Sequence, residues 1–469
     1  MDESPLRSGA SARLDEVLAR IDVDLDQSRK ALFDWLRIPS ISAQPVYAGD
    51  CRRAAIWARD RLAALGFAAE LRETPGHPVV LARKIGAGPH ILFYGHYDVQ
   101  PPDPAELWTS QPFEPALLDG PHGKRFVARG AVDDKGQVAM FLEALRAWKE
   151  TTGAIPGNFT VLIEGEEEVG SVHLDAFLHD NREALRADVA VISDTGMWNV
   201  DTPAVTTRLR GLVYTQVTVR GPDKDLHSGL YGGSAINPIN VLTRILGCLH
   251  DADGRVQVPG FYDAVKPVSP EQTAQWQALD FDEAAFLAKV GLTSPSGERG
   301  VSALERLWAR PTADINGIWG GYAGIGAKTV IASRASAKIS FRLVADQDPE
   351  AVYAAFQKFV QDRLPPGATM EMQHFGLSPG IEIATDNPWV GMAQAALADE
   401  YGRPAVLMGS GGSIPVVESL RRILGIDSVL MGFSLDDDQI HSPNEKFEQI
   451  CFHHGIRAHA RLISKFSEM

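Results

Sequence analysis

The sequence predicts an α/β protein in which a mostly parallel sheet is flanked by helices and a smaller α+β domain is inserted. Three observations support this class. The chain has 469 residues, more than one hydrophobic core usually organises. In its first part, short buried strands alternate with helices. In its middle part, strands alternate between apolar and polar residues, as strands with one exposed face do.

The elements of the first part follow from residue periodicity. Helical spacing covers residues 14–35, and Asp50 is predicted to cap a helix that runs through Leu65 and stops at Gly66. Buried strands are predicted at 79–84, 91–94, 159–163 and 189–192, with a helix at 135–149.

The middle and final parts differ in their periodicity. Half-exposed strands are predicted at 212–220 and 334–343, with helices at 235–249 and 349–359, while 251–326 shows no clear pattern. Buried strands return at 405–408 and 428–431, before a last helix at 444–467. The predicted division is 1–209 and 385–469 for one domain and 210–384 for the inserted one.

Composition excludes several classes of partner. A formal net charge of -15 disfavours nucleic acid and anionic membrane surfaces. No run of about 18 apolar residues is present, and the first residues lack the apolar core of a signal peptide, so we expect a cytoplasmic protein. Cys51, Cys248 and Cys451 are too scattered for a disulfide framework, and each is expected to fill a core.

Potential ligand side chains recur where predicted strands end. His96 and Asp98 follow the strand at 91–94, and the others are Asp133 and Asp134 after Gly130, Glu164 and Glu166 to Glu168 after Ile163, and Asp194 after Ile192. The carboxyl ends of strands in an open α/β sheet border one crevice. Carboxylates crowded there would take up protons or bind a cation. Imidazole mixed with carboxylate suits zinc, manganese or cobalt better than calcium or magnesium.

Each of these groups also has a simpler interpretation. His96 alone could be a hydrogen-bonded core histidine, and Asp133 and Asp134 could cap the following helix. The glutamate run at 166–168 could be a solvated turn, and Asp194 could be a turn residue. The recurrence of such side chains at several strand ends favours a metal site, whereas no single residue does so alone.

Seven short motifs, taken in order, resemble those of the M20 metallopeptidase family, and most closely its carnosinase-like dipeptidase branch. They are HYD at 96–98, RGAVDDKG at 129–136, EGEEEVGS at 164–171, SDT at 193–195, DLHSG at 225–229, GSGGSIPV at 409–416 and HSPNEK at 441–446. The resemblance extends from about Leu32 to the last helix.

The resemblance implies a site with two divalent metal ions, zinc first and manganese or cobalt as alternatives. Asp133 would bridge the ions. His96 and Asp194 would complete one ligand set, and Glu168 and His441 the other. Asp98 would orient the ring of His96, and Glu167 would act as general base. A one-residue slip within the run Glu166 to Glu168 would shift both the base and the ligand assignment, so Glu166 is the uncertain member.

The inserted domain would be a ferredoxin-like lid and dimerisation domain. By resemblance, His227 reaches the active site of the neighbouring subunit in a homodimer and stabilises an oxyanion. Arg342 would bind the substrate's C-terminal carboxylate, together with Gly412 and Ser413. Without the resemblance, His227 reads as a surface-turn residue, Arg342 as a solvated charge and GSGGS as an ordinary turn.

The expected activity is hydrolysis of dipeptides or very short peptides that carry a free C-terminus. An N-acyl-amino-acid deacylase would use the same chemistry and is the alternative. A metal-binding protein without turnover is a third hypothesis, disfavoured because the ligand set and Glu167 are complete. Asn387 and Trp389 stand where some dipeptidases of this branch carry histidine, which leaves side-chain preference open.

Overall fold

The computed structural model describes the backbone of residues 7–469 and the side chains of residues 12–469. The described chain forms two compact units. The first comprises residues up to Thr207 together with Ile383–Met408 and Pro415–Met469, and the second comprises Arg208–Glu382 and Gly409–Ile414. The expectation of no signal peptide draws in part on residues 1–6, which lie outside the described residues.

The helices and strands follow one another along both units. The helices are α1 (Arg7–Val23), α2 (Leu25–Leu36), α3 (Ala48–Ala64), α4 (Lys135–Thr152), α5 (Leu174–Asp180), α6 (Ser228–Tyr231), α7 (Pro238–Gly247), α8 (Pro270–Gln277), α9 (Glu283–Ala288), α10 (Ala303–Trp308), α11 (Pro349–Gln361), α12 (Pro388–Tyr401), α13 (Pro415–Ser419) and α14 (Gln449–Ser467). The strands are β1 (Ala68–Arg72), β2 (Val79–Lys84), β3 (His90–His96), β4 (Ala116–Gly120), β5 (Gly123–Val127), β6 (Asn158–Glu164), β7 (Val189–Ile192), β8 (Ala204–Leu209), β9 (Gly211–Arg220), β10 (Leu226–His227), β11 (Thr312–Gly320), β12 (Val330–Ile331), β13 (Arg334–Leu343), β14 (Thr369–Ser378), β15 (Ile381–Glu382), β16 (Val406–Ser410), β17 (Ser428–Leu430) and β18 (Lys446–Glu448).

The large sheet of the described chain has the strand order β1-β2-β6-β3-β7-β17-β8-β15, and β16 also pairs with β8. Its centre is parallel, because β6, β3, β7 and β17 pair in the same direction. Strands β1, β2, β8 and β15 pair antiparallel at the edges. The predicted α/β class is confirmed, with the sheet mixed at both edges.

Close packing of helix α4 on strand β3 explains a glycine at the end of that strand. A Cβ atom on Gly95 would lie 2.3 Å from Cγ2 of Val138, so no larger residue fits without a shift. Nearby, Phe93 stacks on Phe141 with ring centroids 3.9 Å apart, and the buried His459 ring packs edge-on to both. This tight aromatic core lies directly beneath the carboxyl ends of the central strands.

The second unit contains a four-stranded sheet in the order β11-β13-β9-β14, with every neighbouring pair antiparallel. Alternate residues of β9 and β13, such as Val213, Val217, Ile339 and Phe341, are buried in one core, which α7 and α11 cover. The order of β9, α7, β11, β13, α11 and β14 along the chain is that of a ferredoxin-like fold, as expected.

Four details differ from the sequence predictions. The helical region 14–35 is two helices separated at Asp24, and α3 begins before Asp50, which lies in its first turn while Tyr47 is the N-cap. The last helix starts only at Gln449, because strand β18 precedes it. Cys248 is exposed just after α7, whereas the other two cysteines are buried as expected.

Asn387 and Trp389 have structural contacts that account for their presence. The side chain of Asn387 accepts a hydrogen bond from the backbone N–H of Trp389 at 2.9 Å and so caps α12. The ring of Trp389 packs against Phe466, with centroids 5.7 Å apart. Neither contact requires a ligand.

Within residues 7–469, none of the helices combines the length and apolar character needed to cross a bilayer.

Candidate metal centre

The candidate site forms where three adjacent parallel strands end. Strand β3 lies between β6 and β7, and His96 at the end of β3 is aligned with Glu164 at the end of β6. Asp194 comes two residues after β7, and a short 3-10 helix, Glu167–Val169, follows β6. This topology brings the predicted strand-end groups to one edge of the sheet.

Two groups of three potential ligands share one aspartate. His96, Asp133 and Asp194 form one group, and Asp133, Glu168 and His441 form the other; within each group the candidate ligand atoms lie within 4.8 Å of one another. Nε2 of His96 is 3.2 Å from Oδ1 of Asp133 and 3.9 Å from Oδ2 of Asp194. Nε2 of His441 is 2.9 Å from Oδ2 of Asp133 and 3.2 Å from Oε2 of Glu168.

The environment of His96 fits metal ligation. Its Nδ1 atom lies 3.1 Å from the backbone carbonyl oxygen of Asp98, to which it can donate. That donation places the lone pair on Nε2, which is buried and has no hydrogen-bond partner of acceptable geometry. In that tautomer Nε2 can bind a cation beside the Asp133 and Asp194 carboxylates; with no cation there, burial opposes protonation of His96 but Asp133 and Asp98 raise its pKa well above the usual value. A mixed nitrogen and oxygen set of this kind suits zinc, manganese or cobalt.

Ionisation in the cluster is strongly perturbed. Burial opposes ionisation of Asp133, but the adjacent His441 and His96 rings hold its pKa below the ordinary value. Burial and the charge of Asp133 raise the pKa of Asp194 to about 7. Burial, together with the charge of Asp194, raises the pKa of Glu167 well above its usual range. Asp133 raises the pKa of His441 to about 10. A bound cation would relieve the carboxylate repulsion behind these shifts.

Asp98 connects the two sides of the site. Its Oδ1 atom lies 3.4 Å from Nδ1 of His96 and accepts from the backbone N–H of Glu167 at 3.3 Å. Its Oδ2 atom accepts from the backbone N–H of Glu168 at 3.1 Å. The buried carboxylate therefore fixes both the histidine ring and the start of the 3-10 helix.

The three consecutive glutamates have different surroundings. Glu166 accepts from the backbone N–H of His77 and lies 2.8 Å from Nδ1 of His173, away from both ligand groups. Glu168 belongs to the second ligand group and accepts a hydrogen bond from Gln100. This geometry supports the register in which Glu168 is a ligand, and it argues against a one-residue shift of the assignments.

Glu445 organises the loop that carries Asp133, a contact that the sequence did not reveal. Its Oε1 atom accepts from the backbone N–H groups of Val132 and Asp133 at 3.0 and 3.1 Å. Its Oε2 atom accepts from the N–H of Gly130 at 2.9 Å and from Arg129 at 2.7 Å. Glu445 lies in the HSPNEK motif, but its partners are mostly backbone groups, which leave no signal in sequence.

The side chain of Asp134 does not cap helix α4, although the sequence allowed that role. Asp134 is the N-cap residue of α4 but makes no side-chain capping bond. Its Oδ2 atom instead accepts from the backbone N–H of His96 at 3.1 Å. Another missed contact lies under Asp194, where Ser193 Oγ is 3.0 Å from Nε2 of the buried His459.

The remaining predicted site residues lie in the second unit. His227 is exposed, and its Nδ1 atom accepts from the backbone N–H of Gly229 at 3.0 Å. Arg342, on β13, has no ion-pair partner within the described residues. Gly412 and Ser413 belong to the loop Gly409–Ile414, which is held by Arg210: its Nε atom donates to the carbonyl of Gly411 at 3.2 Å.

Comparisons with known proteins agree in pointing to one family. A family model described as Peptidase family M20/M25/M40 matches residues 92–465. The chain is 30% identical to a Beta-Ala-His dipeptidase from Homo sapiens, over 98% of this chain and 94% of that protein. It is 31% identical to a Cys-Gly metallodipeptidase from Candida albicans, over 81% and 79% of the two chains. A solved M20 family metallo-carboxypeptidase from Sulfolobus solfataricus is 30% identical, with a TM-score of 0.83 and coverage of 94% and 99%.

Proposed function

This chain belongs to peptidase family M20/M25/M40 and is a metallopeptidase, and from this premise we propose that it hydrolyses dipeptides or very short peptides with a free C-terminal carboxylate. The observation that carries the proposal is the pair of ligand groups that share Asp133 beside Glu167. Relatives over most of the chain are named as dipeptidases, which supports the substrate size.

Two divalent ions, most suitably zinc, with manganese or cobalt as alternatives, would be held by the two groups. One would have His96 and Asp194 as its own ligands, the other Glu168 and His441, and Asp133 would serve both. When bound, such ions supply Lewis acidity, which lowers the pKa of water towards 7 and polarises a scissile carbonyl.

Glu167 is the proposed general base. Its carboxylate receives a proton from the attacking water as the new carbon–oxygen bond forms, and then gives it to the leaving amine as the carbon–nitrogen bond breaks. The raised pKa of this buried carboxyl suits a group that must both accept and release a proton. The carboxylate of Asp98 accepts a hydrogen bond from the backbone N–H of Glu167 and so holds this residue in place.

Substrate recognition is assigned to residues of the second unit. The guanidinium of Arg342, free of carboxylate partners in the described chain, would bind the substrate's C-terminal carboxylate in a bidentate manner. Ser413 would add a backbone donor, and Gly412 would add a second by giving up the hydrogen bond that its N–H donates to Ser410 Oγ at 3.1 Å. The backbone N–H of Arg210 donates to the carbonyl of Gly412 at 3.1 Å. In a trans peptide the C=O and the following N–H point in opposite directions, so the amide N–H of Ser413 points away from Arg210.

A homodimer is proposed through strand β11. This strand pairs only with β13 in the described chain, so its other edge is open. It exposes Ile315, Ile318 and Trp319, which are 44%, 52% and 48% accessible. An open apolar edge is prone to pair with a second copy. In such a dimer, His227 would act at the partner's site and stabilise the oxyanion.

A reducing compartment such as the cytoplasm is proposed on separate grounds. Cys51, Cys248 and Cys451 are all free thiols, as is usual for proteins kept in reducing conditions.

The test compares alanyl-alanine with N-acetyl-alanyl-alanine, using protein stripped of metal by a chelator and then given zinc or manganese. We expect cleavage of the free dipeptide only after metal is restored, and loss of that activity in Glu167→Gln. Release of acetate with the peptide bond intact would replace the proposal with an N-acyl deacylase. No turnover of either substrate by fully metal-loaded protein would contradict the proposal and favour a binding protein.

A further inference from the structure

A cavity of about 550 Å³ lies within the second unit. Its walls include the apolar side chains of Phe281, Phe286, Leu287 and Leu292, and Arg210 also lines it. The volume falls within the range of about 300 to 1,000 Å³ that is common for ligand pockets. An apolar cavity of about 150 Å³ already holds benzene. This cavity is therefore large enough for an aromatic side chain.

Most charges around the cavity neutralise one another. Arg306 forms an ion pair with Glu283, and Arg310 pairs with Glu298 at 2.7 Å. Among the arginines that line the cavity, Arg210 is the one without an ion-pair partner in the described chain. Its Nε atom is instead committed to a backbone carbonyl. Asp314 also lines the cavity, and its charge acts on Arg210. The apolar surface of the cavity is that of Phe281, Phe286, Leu287 and Leu292.

The cavity shares a wall with the proposed carboxylate site. Thr312 lines the cavity and is paired directly with Arg342 across β11 and β13. A Cβ atom on Gly411 would lie 3.0 Å from Arg210 and 3.7 Å from the carbonyl oxygen of Leu307, both of which line the cavity. The loop that would bind the carboxylate therefore packs against the cavity wall. Burial and the charge of Arg342 lower the pKa of Arg210 to about 10. This is expected when the two guanidinium groups lie close together.

We propose that this cavity receives the side chain of the substrate's C-terminal residue and selects large apolar side chains. The inference rests on the proposed function, because it takes Arg342 as the carboxylate partner. A carboxylate and a side chain leave the same Cα atom, so the side chain of a residue whose carboxylate is bound by Arg342 would lie within reach of the adjoining cavity. Phe286 and Leu292 would bury it.

The first test is a dipeptide series with a constant N-terminal residue. We expect kcat/KM to rise from Ala-Gly through Ala-Leu to Ala-Phe, by about 10-fold or more over the series. Equal values for Ala-Gly and Ala-Phe would overturn the proposal. A higher value for Ala-Glu than for Ala-Phe would also overturn it, and would assign Arg210 to side-chain recognition.

The second test changes the cavity wall. Leu292 is exposed and lines the cavity, whereas the neighbouring Val290 is exposed and does not. Leu292→Asp should lower kcat/KM for Ala-Phe by about 10-fold more than for Ala-Gly, because only the large side chain reaches the new charge. Val290→Asp should change neither substrate. An equal effect of Leu292→Asp on both substrates would contradict the assignment.

A binding measurement separates this inference from the proposed activity. Free phenylalanine and glycine carry the same carboxylate and differ in side chain, so calorimetry with the metal-loaded protein measures the cavity without turnover. We expect tighter binding of phenylalanine and loss of that advantage in Leu292→Asp. If no dipeptide is cleaved but this pattern is found, the activity fails and the cavity assignment holds. No difference between the two amino acids would reject the cavity assignment.

Discussion

Nε2 of His441 lies 2.9 Å from Oδ2 of Asp133, although the two residues come from the last and the first third of the chain. The other oxygen of Asp133 faces Nε2 of His96 at 3.2 Å. One carboxylate therefore meets an imidazole on each side. A carboxylate can join two metal ions through its two oxygens, and this arrangement leads us to treat Asp133 as the bridging ligand.

The glutamate run allows three roles to be separated by matched substitutions. Glu167→Gln should retain both metal ions and lower turnover by a factor on the order of 10² or more, because the general base is lost. Glu168→Gln should reduce the metal bound per chain. Glu166→Gln should preserve both properties within a few-fold, since its contacts are with His77 and His173.

Metal content by elemental analysis and turnover of a free dipeptide are the measurements for this series. Unaltered turnover in Glu167→Gln would remove it as the base. Metal loss in Glu166→Gln with full retention in Glu168→Gln would show that the register is shifted.

Replacing Glu445 should weaken metal binding without touching a ligand. In Glu445→Gln, one oxygen becomes an amide donor that faces the backbone N–H groups of Gly130 or of Val132 and Asp133. The loop that presents Asp133 should shift, and we expect metal affinity to fall by about 10- to 100-fold. Competition with a chromogenic chelator measures this affinity. An unchanged affinity together with a lower Tm would limit Glu445 to a structural role.

His459 should make stability fall as the pH is lowered. Burial holds its pKa at about 3 in the folded chain, against about 6.5 when unfolded. Below about pH 6.5 the unfolded state gains a proton that the folded state does not, so the stability present at neutral pH decreases by about 1.4 kcal/mol per pH unit.

The matched variant is His459→Gln, which cannot take up this proton. Thermal unfolding of both proteins in chelator, between about pH 7 and about pH 5, should show the wild type losing stability more steeply than the variant. Chelator removes the separate effect of metal release. Parallel pH profiles would show that His459 is protonated in the folded protein.

The sequence indicates which of these side chains lie close together, because most of them sit at strand ends. Residues His96, Glu168 and Asp194 follow β3, β6 and β7, which are adjacent and parallel, so their convergence follows from the topology. The roles of Glu445 and His459 could not be predicted in this way. The first binds mainly backbone groups, and the second is a single histidine on a helix whose partner, Ser193, is distant in sequence.

The parts of the fold that were not predicted have little periodicity. Helices α8, α9 and α10 span only six to eight residues each, too short to show a helical pattern in the region 251–326. The break at Asp24 lacks a glycine or proline. Strand β18 has three residues, and its pairing with β5 supplies the reason for its extended form.

The open edge of β11 predicts a specific way to disrupt the proposed dimer. Ile318→Asp places a charge on the exposed edge and should yield a monomer by light scattering coupled to gel filtration. Ile85→Asp, at a still more exposed isoleucine of the first unit, should leave the oligomeric state unchanged. A dimer that survives Ile318→Asp would place the interface elsewhere.

Action of His227 across the dimer can be tested in the same system. His227→Ala and Glu167→Gln should each be nearly inactive, and mixed dimers of the two should partly regain turnover, since one site then combines both intact groups. Metal content should be normal in His227→Ala. Verified mixed dimers without any recovery would count against action in trans.

The central claim is that Asp133 joins two metal ions, and anomalous X-ray scattering from zinc-reconstituted crystals tests it most directly. We expect two peaks about 3.5 to 4 Å apart, one beside His96 and Asp194, the other beside Glu168 and His441, with Asp133 between them. A single peak, or two peaks that do not both contact Asp133, would contradict the account.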